Sequence, residues 1–199
     1  MSLGTQGSLF SEQAAEPTLG DLSTSISRRP LTEGAWVDLC PGWISGADEL
    51  FDRLRECVPW RAERRRMYER VVEVPRLVSI HQADDRFPDP IITGARAALT
   101  EHHRAELPEG FATAGISLYR DGNDSVAWHG DRIGRASTHD TMVAIISLGS
   151  PRPLMLRPRG GGRSLKFTLS SGDLLVMGGS CQRTWEHAVP KVRGVGARI

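Results

Sequence analysis

The chain has 199 residues, 39% hydrophobic and 25% charged, and its formal net charge is +1. This length allows one sizeable domain, and the charge balance excludes bulk electrostatic attraction to nucleic acid as the basis of any binding. Three widely separated cysteines give no disulfide framework, and no apolar run is long enough to span a membrane. We therefore expect a cytoplasmic protein, without membrane contact, that acts as a monomer.

The first half of the chain divides into a tail and an extension. Residues 1–30 are rich in Ser, Thr, Gly, Glu and Gln, a composition typical of a disordered, flexible tail. Residues 31–110 are interpreted as an N-terminal extension with two helices. The first helix is predicted to begin after Ser45 as the N-cap and to end at Pro59. The second is predicted to begin at the N-cap Asp89, which precedes a proline.

The stretch RAERRRMYERVVEVPRLVSIHQ (61–82) allows two interpretations. Its first half could be helical, but the β-branched residues that follow, interrupted by Pro75, favour an edge strand or a strand junction. Its arginines surround Tyr68, a pattern that suits a nucleic-acid lid in which basic residues alternate with a stacking ring. The alternative is a solvated face whose glutamates pair locally with the arginines.

From residue 111 onward the pattern changes to short strands. Seven strand-like runs, from FATAGISLY to TWEHAV, are separated by turns such as DGND, GSPRP, GGG and SSGD. This spacing predicts an all-β jelly roll over residues 111–199. The fold class is therefore α+β: a double-stranded β-helix (jelly roll) core, two N-terminal helices packed on it, and a flexible tail.

One predicted strand, VAWHGD, places an imidazole and a carboxylate on the same side. His129 and Asp131 are two residues apart, so in an extended strand both side chains leave one face. His187 in TWEHAV is the candidate third ligand. Two histidines and one carboxylate favour Fe(II) with open positions, although zinc hydrolases use the same ligand types.

Arg198 separates these two alternatives. It follows His187 by eleven residues, after the turn-like PKVRGVG. Its guanidinium could bind the distal carboxylate of 2-oxoglutarate as a bidentate pair while the other end of that co-substrate chelates iron. A zinc hydrolase has no need of such an arginine, so the sequence favours an oxygenase.

Longer motifs carry a family resemblance. ISLYRDGNDSVAWHGD (116–131) and SGDLLVMGGSCQRTWEHAVPK (171–191) resemble the signature segments of the AlkB family of Fe(II)- and 2-oxoglutarate-dependent nucleic-acid dealkylases. VPRLV (74–78) resembles the PR element of that family's substrate lid. The resemblance covers about residues 40–199 and is specific to the AlkB branch.

This resemblance implies roles for individual residues. His129, Asp131 and His187 would bind Fe(II) and form the catalytic centre. Tyr119 would donate its hydroxyl to 2-oxoglutarate, and Arg198 would pair with the distal carboxylate. The remaining co-substrate position is Ser117, which stands where the family usually has asparagine, so that a hydroxyl or a water would replace an amide contact.

The resemblance also implies a nucleic-acid lid and a reaction. Arg76 would lie on the lid, with Tyr68, His81 and Arg66 as further substrate contacts; solvated or core positions are the alternatives for these residues. With O2 as second co-substrate, the expected reaction is oxidative demethylation of 1-methyladenine or 3-methylcytosine in DNA, or in RNA, with release of formaldehyde. The alternatives are an oxygenase acting on RNA or protein and a non-catalytic nucleic-acid-binding relative.

The family usually carries a second arginine shortly after the first. This sequence stops at Ile199, one residue after Arg198. We therefore expect the C-terminal end of the jelly roll to be truncated, with the second arginine outside this sequence.

Overall fold

The computed structural model describes residues 15–67, 70–131 and 138–199, and within 63–73 it describes the backbone alone. Thirteen strands and four helices occur among the described residues. The helices are α1 (Leu22–Ser25), α2 (Ala47–Cys57), α3 (Pro90–His102) and α4 (Cys181–Thr184). The strands are β1 (Thr18–Leu19), β2 (Ser27–Pro30), β3 (Ala35–Cys40), β4 (Ile44–Ser45), β5 (Arg61–Met67), β6 (Arg70–His81), β7 (Ala114–Leu118), β8 (Val126–His129), β9 (Val143–Ile146), β10 (Arg152–Pro158), β11 (Leu165–Leu169), β12 (Leu174–Gly179) and β13 (Trp185–Val189).

Two four-stranded antiparallel sheets form the core. One has the order β2-β3-β12-β9 and the other the order β11-β10-β13-β8. A buried apolar cluster includes Val37 and Leu175 from the first sheet with Leu154 and Leu156 from the second. The jelly roll predicted from seven short strand-like runs is confirmed, and each of those runs contains one strand.

A second apolar cluster covers the outer side of the first sheet. Leu50 and Leu54 of α2 and Leu99 of α3 join Val176 of β12 in this cluster. The spacing of Leu50 and Leu54 places both on one helix face, which explains why this amphipathic segment packs on the sheet. The two predicted N-terminal helices therefore lie where the apolar pattern indicated.

The helix starts agree with the sequence in one case and differ in the other. Asp89 caps α3, and its side chain accepts a hydrogen bond from the Ile91 N–H. The predicted N-cap Ser45 is wrong, because the cap of α2 is Gly46 at φ 67°. A side chain there would be strained, and its Cβ would lie 2.4 Å from the Ala15 carbonyl oxygen.

The segment that was ambiguous in the sequence is a hairpin. Strands β5 and β6 pair with each other, and β6 also pairs with β7, which gives a third sheet of order β5-β6-β7. Pro75 lies in β6 where the pairing with β5 shifts register, between the partners of Ala62 and Arg64. Strand β6 continues through Pro75, so the junction predicted there is a shift of register within one strand, and the helical alternative for residues 61–67 is wrong.

The disordered tail predicted for residues 1–30 is wrong for its second half. Strand β1 pairs with β4, and β2 pairs with β3 along its whole length. All four residues of β2 are exposed, so backbone hydrogen bonds to β3, not apolar burial, hold this edge strand. A polar composition therefore concealed a strand. Residues 1–14 lie outside the described residues.

Strand pairing also crosses the predicted boundary between residues 110 and 111. Strand β3 from the predicted extension pairs with β12, and β6 pairs with β7. The core sheets therefore include strands from both sides of that boundary.

Candidate metal centre and co-substrate pocket

Three side chains converge at one end of the second sheet. One ligand atom from each of His129, Asp131 and His187 lies within 4.8 Å of the others. The Asp131 carboxylate is 3.8 Å from His129 Nε2 and 3.7 Å from His187 Nε2. The sequence prediction of this triad agrees with the geometry.

The sheet pairing produces this convergence. Strands β8 and β13 are antiparallel neighbours, and His129 is the cross-strand partner of His187. Their ring centroids are 4.1 Å apart. Asp131 follows β8 by two residues and therefore returns to the same face.

Hydrogen bonds orient the ligands. His129 Nδ1 lies 2.9 Å from the Ala127 carbonyl oxygen, the contact that leaves Nε2 to face the triad. The Asp131 N–H donates to Gln182 Oε1 at 3.2 Å, and Gln182 is buried in α4. The sequence interpretation missed Gln182, because nothing in its local pattern distinguishes it from a packed amide.

The protonation state of His187 suits a metal ligand. Burial, with the imidazole of His129 adding to it, lowers the pKa of His187 to about 4. At neutral pH this imidazole is therefore uncharged, and its lone pair is available to a metal. The donor set of two imidazoles and one carboxylate fits Fe(II).

Arg198 and Tyr119 meet beside the triad-bearing sheet. The backbone of Tyr119 exchanges hydrogen bonds of 2.8 and 2.9 Å with that of Arg198. The Arg198 side chain is buried, and its Nε donates to Ser147 Oγ at 3.0 Å. Its Nη1 has no partner among the described residues. A buried guanidinium nitrogen without an acceptor fits a carboxylate of the co-substrate.

Among the described residues, three arginines and Asp124 act electrostatically on Tyr119. Burial raises the pKa of Tyr119, while Arg76, Arg198 and Arg152 act in the opposite direction. The raised pKa keeps the phenol protonated at neutral pH, so its hydroxyl can donate a hydrogen bond. Burial also lowers the pKa of Arg198, which an arginine tolerates without losing its charge at neutral pH.

Arg152 and Ser147 were not identified from the sequence. Arg152 is fully buried, and its Cζ lies 5.6 Å from the ring centroid of Tyr119. The alternation of side chains along a strand could have identified Arg152, because it is two residues before Leu154 and four before Leu156, which both face the core. An arginine at an inward position of a core strand is a signal of a buried charge.

Of the four predicted substrate contacts, the structure describes the side chains of Arg76 and His81. Arg76 is half-buried, its Nε has no partner among the described residues, and its charge acts on Tyr119. His81 is only 9% exposed, with its Nε2 3.1 Å from Ser79 Oγ and its ring against Phe87. This environment favours the core alternative for His81. Tyr68 and the side chain of Arg66 lie outside the described residues.

Ser117 lies in β7 opposite Val78 of β6 and is half-buried. It is two residues before Tyr119, so both side chains point to the same side of β7. Ser117, predicted to stand where the family usually has asparagine, therefore lies on the same side of the strand as Tyr119.

Comparison with known proteins identifies the class. The family model described as the 2OG-Fe(II) oxygenase superfamily matches residues 39–195, and the chain belongs to this superfamily. The predicted Fe(II) and 2-oxoglutarate are therefore the metal and co-substrate of its family, and the zinc hydrolase alternative is excluded.

The resemblance to the AlkB branch is also confirmed. Over 176 residues the chain is 28% identical to alpha-ketoglutarate-dependent dioxygenase alkB homolog 3 of Bos taurus, covering 78% of this chain and 60% of that relative. The chain thus spans about three fifths of the length of this curated relative.

Solved structures share the fold. OsALKBH1 superposes with a TM-score of 0.58 at 13% identity, covering 84% of this chain and 88% of that one. A prolyl hydroxylase from Trichoplax adhaerens, in complex with a hypoxia inducible factor peptide fragment, gives a TM-score of 0.60 at 14% identity, covering 84% and 81%. Among the described residues no helix is long and apolar enough to cross a membrane.

Proposed function

We propose that this chain is a dioxygenase that oxidatively demethylates alkylated nucleobases. The proposed substrates are 1-methyladenine and 3-methylcytosine in DNA, with RNA as the alternative polymer, and the proposed role is dealkylation repair. The observation that carries the oxygenase chemistry is the His129–Asp131–His187 triad, together with the buried guanidinium of Arg198, whose Nη1 has no hydrogen-bond partner among the described residues. The choice of nucleic acid rests on the AlkB motifs and on the likeness to alkB homolog 3.

The fold alone does not select the substrate. The core superposes on OsALKBH1 with a TM-score of 0.58 and on a prolyl hydroxylase in complex with a peptide fragment with a TM-score of 0.60, so the core by itself is also compatible with a protein substrate. The motif resemblance favours nucleic acid. A protein substrate is the alternative, and the formaldehyde assay described below distinguishes the two.

Each residue of the site has a separate role in the proposed reaction. His129, Asp131 and His187 would hold Fe(II) through two imidazoles and a carboxylate. Arg198 would bind the distal carboxylate of 2-oxoglutarate, and the protonated hydroxyl of Tyr119 would donate a hydrogen bond to the same molecule. When bound, iron and 2-oxoglutarate supply the oxidising power that hydroxylates a methyl group on a base nitrogen.

The product chemistry follows from the hydroxylated methyl group. A hydroxymethyl group on a base nitrogen collapses to formaldehyde and the unmodified base. A paired base must leave the helix to reach the metal, and a methylated base that pairs poorly is extruded at lower cost. Arg76 is the proposed substrate contact; its charge acts on Tyr119, and its Nε has no partner among the described residues, which supports this role.

The test has an anaerobic and an aerobic stage. Fe(II) and 2-oxoglutarate are added to the chain without oxygen, and the visible metal-to-ligand charge-transfer band is recorded. Oxygen is then admitted with a 1-methyladenine or 3-methylcytosine oligonucleotide, and formaldehyde is assayed, with the unmethylated oligonucleotide as control. We expect the band and formaldehyde from the methylated strand only. A band without formaldehyde from DNA or RNA would contradict nucleobase demethylation and favour a protein substrate.

A further inference from the structure

Arg152 is a buried cation whose hydrogen-bond acceptors among the described residues are all backbone carbonyl groups. It begins β10 and its side chain is fully buried. Its Nη1 donates to the Asp121 carbonyl at 2.9 Å, and its Nη2 donates to the carbonyls of Asp124 and Pro190 at 2.8 and 2.9 Å. Its Nε has no partner among the described residues.

These three carbonyls belong to segments that carry the pocket. Residues 121 to 124 form the turn between Tyr119 and β8, the strand that ends at His129. Pro190 directly follows β13, the strand that contains His187. The guanidinium of Arg152 therefore ties the segment after His187 to the turn that separates Tyr119 from His129.

A close backbone approach supports the same connection. The Val192 N–H donates to the Gly122 carbonyl at 2.9 Å, and a Cβ at position 122 would lie 1.6 Å from the Val192 carbonyl oxygen. Only glycine fits there. The turn and the segment after β13 are thus in contact at two points, one of them made by Arg152.

Arg152 has no direct ion pair among the described residues. The carboxylates of Asp124 and Asp121 act on its charge from beyond ion-pair distance, and that of Asp124 is held by Arg120 through two contacts of 2.9 Å. Arg198 is also buried and has no ion pair among the described residues. A buried charge without an opposite charge is costly, so two of them near one phenol call for an anion.

Both cations are arranged about the Tyr119 ring. The Cζ atoms of Arg152 and Arg198 lie 5.6 and 5.8 Å from its centroid. The two terminal nitrogens of Arg152 are occupied by carbonyls, so it has no free fork for a ligand. It can act on an anion through its field and by fixing the turn behind Tyr119.

We propose that Arg152 is a positioning residue of the co-substrate pocket whose buried charge selects a dicarboxylate over a monocarboxylate 2-oxo acid. Arg198 contacts the distal carboxylate, and Arg152 adds positive potential at the same end of the pocket. This inference rests on the co-substrate pocket proposed above. It goes further by assigning part of the selectivity for 2-oxoglutarate to a residue that does not touch it.

The test measures selectivity in the Fe(II)-loaded chain without oxygen. Dissociation constants for 2-oxoglutarate and for 2-oxopentanoate, which lacks the distal carboxylate, are obtained from the charge-transfer band. The ratio of the two constants is the selectivity for the dicarboxylate. A ratio near one in the unsubstituted chain would contradict the proposed co-substrate pocket. The role of Arg152 is tested separately, by the change in this ratio between the unsubstituted chain and its variants.

Arg152→Gln removes the charge and keeps an amide donor. We expect the selectivity to fall by at least about tenfold, chiefly through weaker binding of 2-oxoglutarate. A purely structural role would weaken both ligands equally and leave the ratio unchanged, which would overturn the inference. Arg159→Gln is the matched control, because it removes the same charge from the exposed end of the β10–β11 hairpin. It should leave the ratio unchanged.

Arg152→Lys keeps the inference testable if the glutamine variant does not fold. A buried lysine loses its proton more readily than an arginine, because burial disfavours its charged form. In Arg152→Lys we expect the selectivity to fall between pH 6.5 and pH 8.5 by more than in the unsubstituted chain. Equal pH profiles for the two proteins would contradict a role for the charge at position 152.

Discussion

His129 and His187 face each other across β8 and β13 with ring centroids 4.1 Å apart, so sheet pairing assembles two metal ligands directly. Such closeness is unfavourable when both rings are protonated, and burial keeps His187 neutral. The centre is therefore built for a cation between the rings and the Asp131 carboxylate.

Removal of one ligand should abolish turnover without unfolding the chain. In His129→Ala the remaining His187 and Asp131 would bind Fe(II) at least about tenfold more weakly, judging from the usual cost of disturbing a metal ligand or its support. Metal titration and circular dichroism check the two parts of this expectation. His102→Gln on the exposed side of α3 is the control. An active His129→Ala enzyme would rule out the assigned centre.

Fe(II), or Mn(II) as a redox-stable substitute, should raise the melting temperature. A ligand that binds only the folded state stabilises it by about 2.7 kcal/mol at a concentration one hundred times its dissociation constant. Scanning calorimetry with and without metal measures the shift. The shift should vanish in Asp131→Asn, and a persistent shift there would place the metal elsewhere.

Arg198→Met should separate folding stability from co-substrate binding. The substitution replaces an unpaired buried charge by an apolar side chain, so the free energy of unfolding without ligands should be unchanged or higher. Binding of 2-oxoglutarate should weaken roughly 30-fold or more, since losing one partner of a buried charge pair costs about 2–5 kcal/mol. Urea unfolding and ligand titration give the two values. Lower stability with intact binding would contradict the assigned role.

Leu156→Ala should lower both stability and metal affinity. Leu156 is fully buried in β10 and is the cross-strand partner of His187. Truncating a buried leucine costs about 2–5 kcal/mol, and the space left behind His187 should loosen the ligand. Met155→Ala, on the outer face of the same strand, is the control. Equal losses of metal affinity in the two variants would show that Leu156 has no particular support role.

Acid should destabilise the fold partly through His103. Burial lowers the pKa of His103, against the opposing influence of Glu106. The unfolded chain, whose histidine titrates at about 6.5, therefore binds the proton first, and the free energy of unfolding falls as pH decreases below that value. His103→Phe keeps a ring beside Trp36 and should show a smaller loss between pH 7.5 and pH 5.5 in urea unfolding. An unchanged pH dependence would exclude this contribution.

The sequence predicted what depends on local pattern. Alternation identified the seven strands β7 to β13, and a two-residue spacing identified His129 and Asp131, because both follow from the geometry of a strand. Arg152 was missed because its importance comes from carbonyl groups at Asp121, Asp124 and Pro190, which are distant in sequence. His81 was predicted as a substrate contact with a core position as the alternative, and its contacts with Ser79 and Phe87 favour the core position.

Part of the predicted disordered tail is a strand, which the composition did not reveal. Residues 27–30 form β2, although all four are exposed, because β3 offers unpaired backbone groups at its edge. Arg28 adds ion pairs to Asp38 of β3 and to Glu106 after α3. Neither partner is near in sequence, so composition indicated disorder where tertiary pairing imposes a strand.

The pairing of β8 with β13 has a consequence for how the protein acquires iron. His129 and His187 are 58 positions apart, and the strands between them, β9 to β12, must reach their places in two sheets before the rings can meet. Contacts of such long sequence separation form late in folding. We therefore expect iron to bind after the chain has folded. The metal then stabilises the folded protein but does not direct its folding.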